Sequence, residues 1–160
     1  MSCSCVIRNA EPGDAEAIAK IISETENAPQ ADPQVFPAAF EELVNTPWAC
    51  LLVAEEQSRP VGFLYAFHHP DLFKGNAVCI ETILVAKSHQ NQGIGSMLLA
   101  EAEKWAAKCH AAIIVVPAAP KALAFYNRLG YKEAAFRLVK ALSPSSDSEK
   151  HQLTHAIPNR

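Results

Sequence analysis

The stretch from Ala77 to Trp105 restricts the fold more than any other part of this 160-residue chain. Ala77–Val85 is an apolar run rich in β-branched residues, the pattern of a strand. It leads through a polar segment into Gly93-Ile94-Gly95-Ser96. Beyond that, Leu98, Leu99, Ala102 and Trp105 fall on one stripe of a helix over 94–109. A glycine-containing loop that opens a helix exposes several backbone N–H groups where the helix dipole favours an anion. Gly93 and Gly95 permit close backbone approach. The loop is not a dinucleotide fingerprint, because Leu98 stands where the third glycine would fall. It is not a P-loop, because no Gly-Lys-Ser/Thr follows.

The remaining elements interleave around this unit. Val6-Ile7-Arg8 reads as a first strand. Pro12 and Asp14 supply helix-start chemistry for a helix bearing Ala15, Ile18, Ala19 and Ile22. Glu24 to Pro37 reads as a loop, and Ala38 to Asn45 as a short helix ending before Pro47. Cys50–Ala54 and Val61–Phe67, joined by the polar turn at 56–60, predict a hairpin. Ala112–Val116 predicts a short buried parallel strand. A helix over about 120–129 stops at Gly130, a C-terminal cap. Tyr131–Leu142 reads as a closing hairpin, and 143–160 as a polar tail. Helices alternating with a mixed sheet predict an α/β (α+β) three-layer domain over 1–142.

Composition narrows the function. Apolar residues are 49% and charged residues 19% of the chain, which places it among globular proteins. No apolar run reaches the length of a membrane span, and Met1–Arg8 lacks a secretory pattern, so the expected setting is cytoplasmic, with no membrane partner. Residues 1–60 carry ten acids against three bases, a net −7, whereas 61–160 net +4. An acidic front half argues against nucleic acid and suits a cationic small molecule. The five cysteines are odd in number and scattered, so they read as small hydrophobes rather than a disulfide framework. The six histidines show no ligand spacing, and no metal is expected.

Gln90-x-x-Gly93-x-Gly95, after a strand carrying Glu81 and before an Ala/Leu helix, resembles the acyl-CoA signature of the GNAT N-acetyltransferases. Ala122–Tyr131, with its Phe125-Tyr126 pair and Gly130-Tyr131 ending, is similar to the late helix of that family. The resemblance covers most of the chain up to Leu142. It implies a central mixed, mostly antiparallel sheet splayed at the acyl-CoA site, and acetyl-CoA as co-substrate. It further implies that backbone groups of Ile83, Leu84 and Val85 pair with the pantetheine arm. Backbone N–H groups of Asn91, Gln92, Gly93, Ile94 and Gly95, with Ser96, would hold the pyrophosphate, and Gln90 would stand at the first cofactor-binding position of that loop. Two positions depart from the family pattern: Gln90 stands where Arg is frequent, and Ala119 where Asn is frequent.

Acetyl transfer to an amine needs a base, a proton donor for the leaving thiolate and a donor for the developing oxyanion. Glu81, on a strand apolar on both faces, is the expected base, and the resemblance makes Tyr126 the acid. The Val85 N–H is the natural oxyanion donor. The expected acceptor is a small cationic amine of polyamine or aminoglycoside type, attracted by Glu24 and Glu26. Acetylation of a protein N-terminus or lysine is the alternative enzyme reading. A non-catalytic acyl-CoA-binding module is the third, against which the presence of both Glu81 and Tyr126 counts. Members of the family are often homodimers, an expectation carried over to this chain.

Overall fold

A computed structural model describes residues 5–25 and 30–134. The chain forms two compact units, Met1–Val116 and Pro117–Arg160. The first holds a five-stranded sheet in the order β1-β2-β3-β4-β5, with β1 Val6–Asn9, β2 Ala49–Glu56, β3 Arg59–Asp71, β4 Gly75–Val85 and β5 Ala111–Val115. Neighbours run antiparallel except β4 and β5, which are parallel. Its helices are α1 Ala15–Glu24, α2 Phe36–Val44 and α3 Ile94–Lys108. The β2–β3 turn is tight because Gln57 and Ser58 both take positive φ, 50° and 61°, as a two-residue hairpin of matching twist requires.

Strand alternation sends side chains to two cores. On one face Ile18 of α1 and Phe40 of α2 pack with Leu51, Val53 and Phe63 of the sheet. On the other, Leu64 and Ala66 of β3 and Ile80 of β4 are buried, as are Ile94, Leu98, Leu99 and Ala102 of α3. A side chain of this size taken fully out of water contributes about 1.5–3 kcal/mol. The first unit is therefore three layers deep, as expected of the fold class.

Several boundaries differ from the sequence reading. Helix α2 begins at Phe36, so Pro37 lies inside its first turn, where a missing N–H costs nothing. Strand β3 runs past Phe67 to Asp71, carrying His68 and His69 as paired strand residues. Strand β5 is the last strand of the sheet among the described residues, and Val115 is 47% exposed. In the second unit a 3-10 turn, Pro120–Ala122, precedes α4, Leu123–Arg128. Gly130 takes φ 89°, while its N–H bonds to Asn127 O and the Tyr131 N–H to Tyr126 O, a Schellman ending. Residues 131–134 have no regular structure; the rest of the expected closing hairpin, and the tail, lie outside the described residues.

Arg8 binds the start of α1 to the sheet. Its Nη1 and Nη2 donate to Asp14 at 2.7 and 2.8 Å, and its Nε to Glu55 at 2.7 Å. Asp14 also accepts the Glu11 N–H at 2.8 Å. The Arg8 guanidinium holds the Asp14 carboxyl below the usual carboxylate range. A lowered folded value means stabilisation that is complete above the unfolded carboxyl range and lost as pH falls through the folded value. Asp14→Asn should therefore cost about 2 kcal/mol at neutral pH, the worth of charge-assisted hydrogen bonds. The gap to wild type should narrow below about pH 4, as urea titrations at several pH values would show. A gap independent of pH would assign the loss to packing.

Candidate acyl-transfer site

The site is built on the second half of β4, where two irregularities meet. The parallel ladder to β5 ends at Cys79↔Val115, so Ile80–Val85 has no strand partner on that side among the described residues. On the other side, Tyr65 pairs with Thr82 and Ala66 with Ile80. Glu81 is thus the extra residue of a β-bulge, a device that re-aims a side chain.

Register settles where the backbone groups point. The Ala86 N–H donates to Val61 O at 2.8 Å, which makes that opposed pair hydrogen-bonded. Alternation in an antiparallel ladder then turns the N–H and C=O of Leu84, opposite Phe63, toward β3. Those of Val85, opposite Gly62, and Ile83, opposite Leu64, turn to the open side. Consistent with this, Gln90 Nε2 donates to Val85 O at 3.1 Å. Of the three residues expected to serve an acyl-CoA arm, Leu84 turns its backbone groups toward β3, whereas Ile83 and Val85 turn theirs away.

The loop that follows is braced from within and from β2. Gln92 Nε2 donates to Ser88 O at 3.2 Å, and His89 Nε2 lies 3.1 Å from Glu56 Oε2. Asn91 takes φ 61° and Gly93 φ 83°, two left-handed residues just ahead of α3. Gly93 is the N-cap and α3 has no side-chain cap; its first intrahelical bond is Met97 N–H to Gly93 O, 3.0 Å. The N–H groups of Ile94, Gly95 and Ser96 accordingly lie in the first turn, ahead of the intrahelical ladder. Left-handed turns leading into an uncapped helix start form an anion-binding concavity. Together with the open edge of β4, this suits a ligand with an amide-bearing arm and a phosphate group, as acetyl-CoA has.

On the α1/α2 face, the Cys79 Sγ–H donates to Glu81 Oε1 at 3.1 Å. Tyr65 stands beside them: burial, then the Glu81 and Cys79 charges, push its phenol above the ordinary range. Tyr65 and Thr82 line a cavity of about 250 Å³ between α1, α2 and the sheet. A larger one, about 560 Å³, lies between α1 and residues 30–37 and touches no strand. The smaller cavity is the one that reaches β4. Cys79, Tyr65 and Thr82 escaped sequence reading; only the alternation that puts Tyr65 on the face of Phe63 could have singled one out.

Glu24 is the exposed last residue of α1, 4.0 Å from Lys20, and does not line the smaller cavity; Glu26 lies outside the described residues. Tyr126, in the second unit, is 6% exposed, with ring centroids 5.0 Å from Phe125 and 5.7 Å from Tyr131. Burial pushes its phenol up to about 12. Among the described residues no group of three or more His, Cys, Asp or Glu could hold a metal, and no helix is long and apolar enough to cross a membrane.

The sequence profile of the acetyltransferase (GNAT) family matches residues 15–131, and the chain belongs to that family of acetyl-CoA-dependent enzymes. No curated protein matches the sequence. Among solved structures, the chain is similar to a transcriptional regulator from Bacillus halodurans C-125, with 26% identity, TM-score 0.79, and coverage of 86% of this chain and 99% of that one. It is also similar to an aminoglycoside acetyltransferase from an uncultured soil metagenomic sample, with 21% identity, TM-score 0.70, and 88% and 99% coverage. A ribosomal-protein-alanine N-acetyltransferase from Brucella melitensis biovar Abortus 2308 shares the fold at 20% identity, TM-score 0.68, with 87% and 100% coverage.

Gly93 gives a direct check on the loop. A β-carbon there meets nothing within 4 Å, so its cost is conformational rather than steric. Gly93→Ala should cost about 1–2 kcal/mol, the left-handed penalty. Gly13→Ala, equally uncrowded and without positive φ, should be near neutral. Equal urea midpoints for the two variants would mean that the loop does not hold this conformation.

Proposed function

We propose that the protein transfers the acetyl group of acetyl-CoA to a small primary amine, with Glu81 as base. The observation that carries this reading is the bulge, which sets Glu81 beside both the open edge of β4 and the cavity. Ile83 and Val85 would hold the pantetheine arm through backbone groups. Backbone N–H groups of residues 91–95, with Ser96, would hold the pyrophosphate, while the Gln90 side chain is engaged by Val85 O. Bound acetyl-CoA supplies an acetyl thioester.

The chain's own groups do the rest. Glu81 takes the proton that an ammonium must lose before its nitrogen becomes a nucleophile. The Val85 N–H, directed away from β3, donates to the carbonyl oxygen as negative charge gathers there. Tyr126 donates to the leaving sulfur. A phenol pushed up to about 12 stays protonated at working pH, so it is always available as a donor, though weaker as an acid than an ordinary phenol. The soil aminoglycoside acetyltransferase supports a small amine as acceptor. Glu24 and Glu26 would attract a cationic acceptor through their charge, which salt screens.

Glu81→Gln keeps the shape and removes the base. It should lower kcat by about 10²–10⁴-fold, with little change in the acetyl-CoA dissociation constant by calorimetry. Tyr126→Phe should lower kcat by about 10²-fold with the KM for acetyl-CoA nearly unchanged. Turnover within twofold of wild type in Glu81→Gln would remove Glu81 from the chemistry, and the same result in Tyr126→Phe would make that ring a packing residue.

A further inference from the structure

We propose that the acceptor is a primary amine with a single positive charge and an apolar body, a ring or short alkyl chain, seated in the cavity between α1, α2 and the sheet. This rests on the reading of Glu81 as the base, and it replaces the polyamine or aminoglycoside acceptor that composition suggested.

The cavity walls carry the argument. Phe36, Phe40 and Leu43 of α2 face Phe63 of β3 and Leu84 of β4, and no charged side chain is among the described lining residues. Its polar members are Gln30, Tyr65 and Thr82, two of which stand at the β4 end, next to Glu81. Phe36 and Phe40 lie 5.7 Å apart and Phe40 and Phe63 6.2 Å apart, ring geometry that a further aromatic body can join. An ammonium at the β4 end meets the Glu81 carboxylate. A second ammonium farther in would meet, among the described lining residues, apolar walls and the neutral Gln30, and would lose its hydration without a counter-charge. Two described acidic residues near this face are engaged elsewhere. Glu24 is exposed beside Lys20, and Asp32 Oδ1 accepts the Gln34 N–H at 2.8 Å in the turn before α2. The volume, about 250 Å³, suits one small body rather than several linked sugars.

The test is an acceptor panel on the full-length protein with acetyl-CoA and thiol release as readout. It would include phenethylamine, hexylamine, putrescine, kanamycin and a short peptide with an apolar first residue. Phenethylamine and hexylamine should exceed the others in kcat/KM by about 10-fold or more, the scale on which an apolar pocket discriminates. The preference should survive added salt, because it arises from desolvation rather than from steering. Phe36→Ala, on the half-buried first turn of α2, should raise the KM for phenethylamine several-fold and leave acetyl-CoA binding intact. Faster transfer to putrescine, kanamycin or the peptide would overturn this inference while leaving the acetyltransferase reading in place. Acetyl-CoA binding without transfer to any amine on the panel would overturn both.

Discussion

Strand β4 loses one neighbour while keeping the other, and the site depends on that asymmetry. A parallel ladder broken at Cys79↔Val115 leaves the backbone donors and acceptors of Ile83 and Val85 on the side away from β3 without a strand partner among the described residues. Buried or half-buried backbone groups need partners, and leaving them unmet is costly. Gln90 Nε2 meets one, Val85 O. An amide-bearing ligand arm laid along the strand would meet the others, so on the proposed reading the divergence of two strands would serve as a binding site without any dedicated side chain.

On the proposed reading, the same few residues would meet the other substrate through their side chains. Alternation turns Thr82 and Leu84 toward α1 and α2 while the backbone of Ile83 and Val85 faces the open edge. The bulge at Glu81 adds one residue to this strand, and the Cys79 thiol and the Tyr65 phenol beside Glu81 show which face its carboxylate takes. A proton acceptor thereby stands between a backbone edge and an apolar cavity. The rigid surroundings are supplied by the two cores, one beneath α1 and α2 and one beneath α3.

Much of this was legible from sequence. The strand–glycine loop–helix unit carries its own punctuation, because Gly93 must adopt a left-handed φ and the apolar stripe of α3 has helical period. Gly130 announces the end of α4 for the same reason. The bulge was not legible at Glu81, since one extra residue in an apolar run changes no local preference and shows only against the partner strand. The reach of β3 through His68 and His69 was missed because polar residues at a strand end look like a turn until β4 pairs with them. The acidic front half bears on the acceptor only through charge counted along the chain, whereas the described cavity wall, formed by the apolar faces of α2 and the sheet, shows only in the folded structure. Which backbone groups of residues 83–85 face outward is a question of register, and only the Ala86–Val61 bond answers it.

The central claim is that Ile83, Val85 and the first turn of α3 receive acetyl-CoA through their backbone. Residue-resolved amide hydrogen exchange on the full chain, with and without acetyl-CoA, tests it most directly. The amides of Ile83, Val85 and residues 94–96 should slow on binding, while that of Leu84, already bonded to β3, should be slow in both states. Protection that appears elsewhere, with those amides unchanged, would contradict the assignment of this strand edge and loop as the cofactor site.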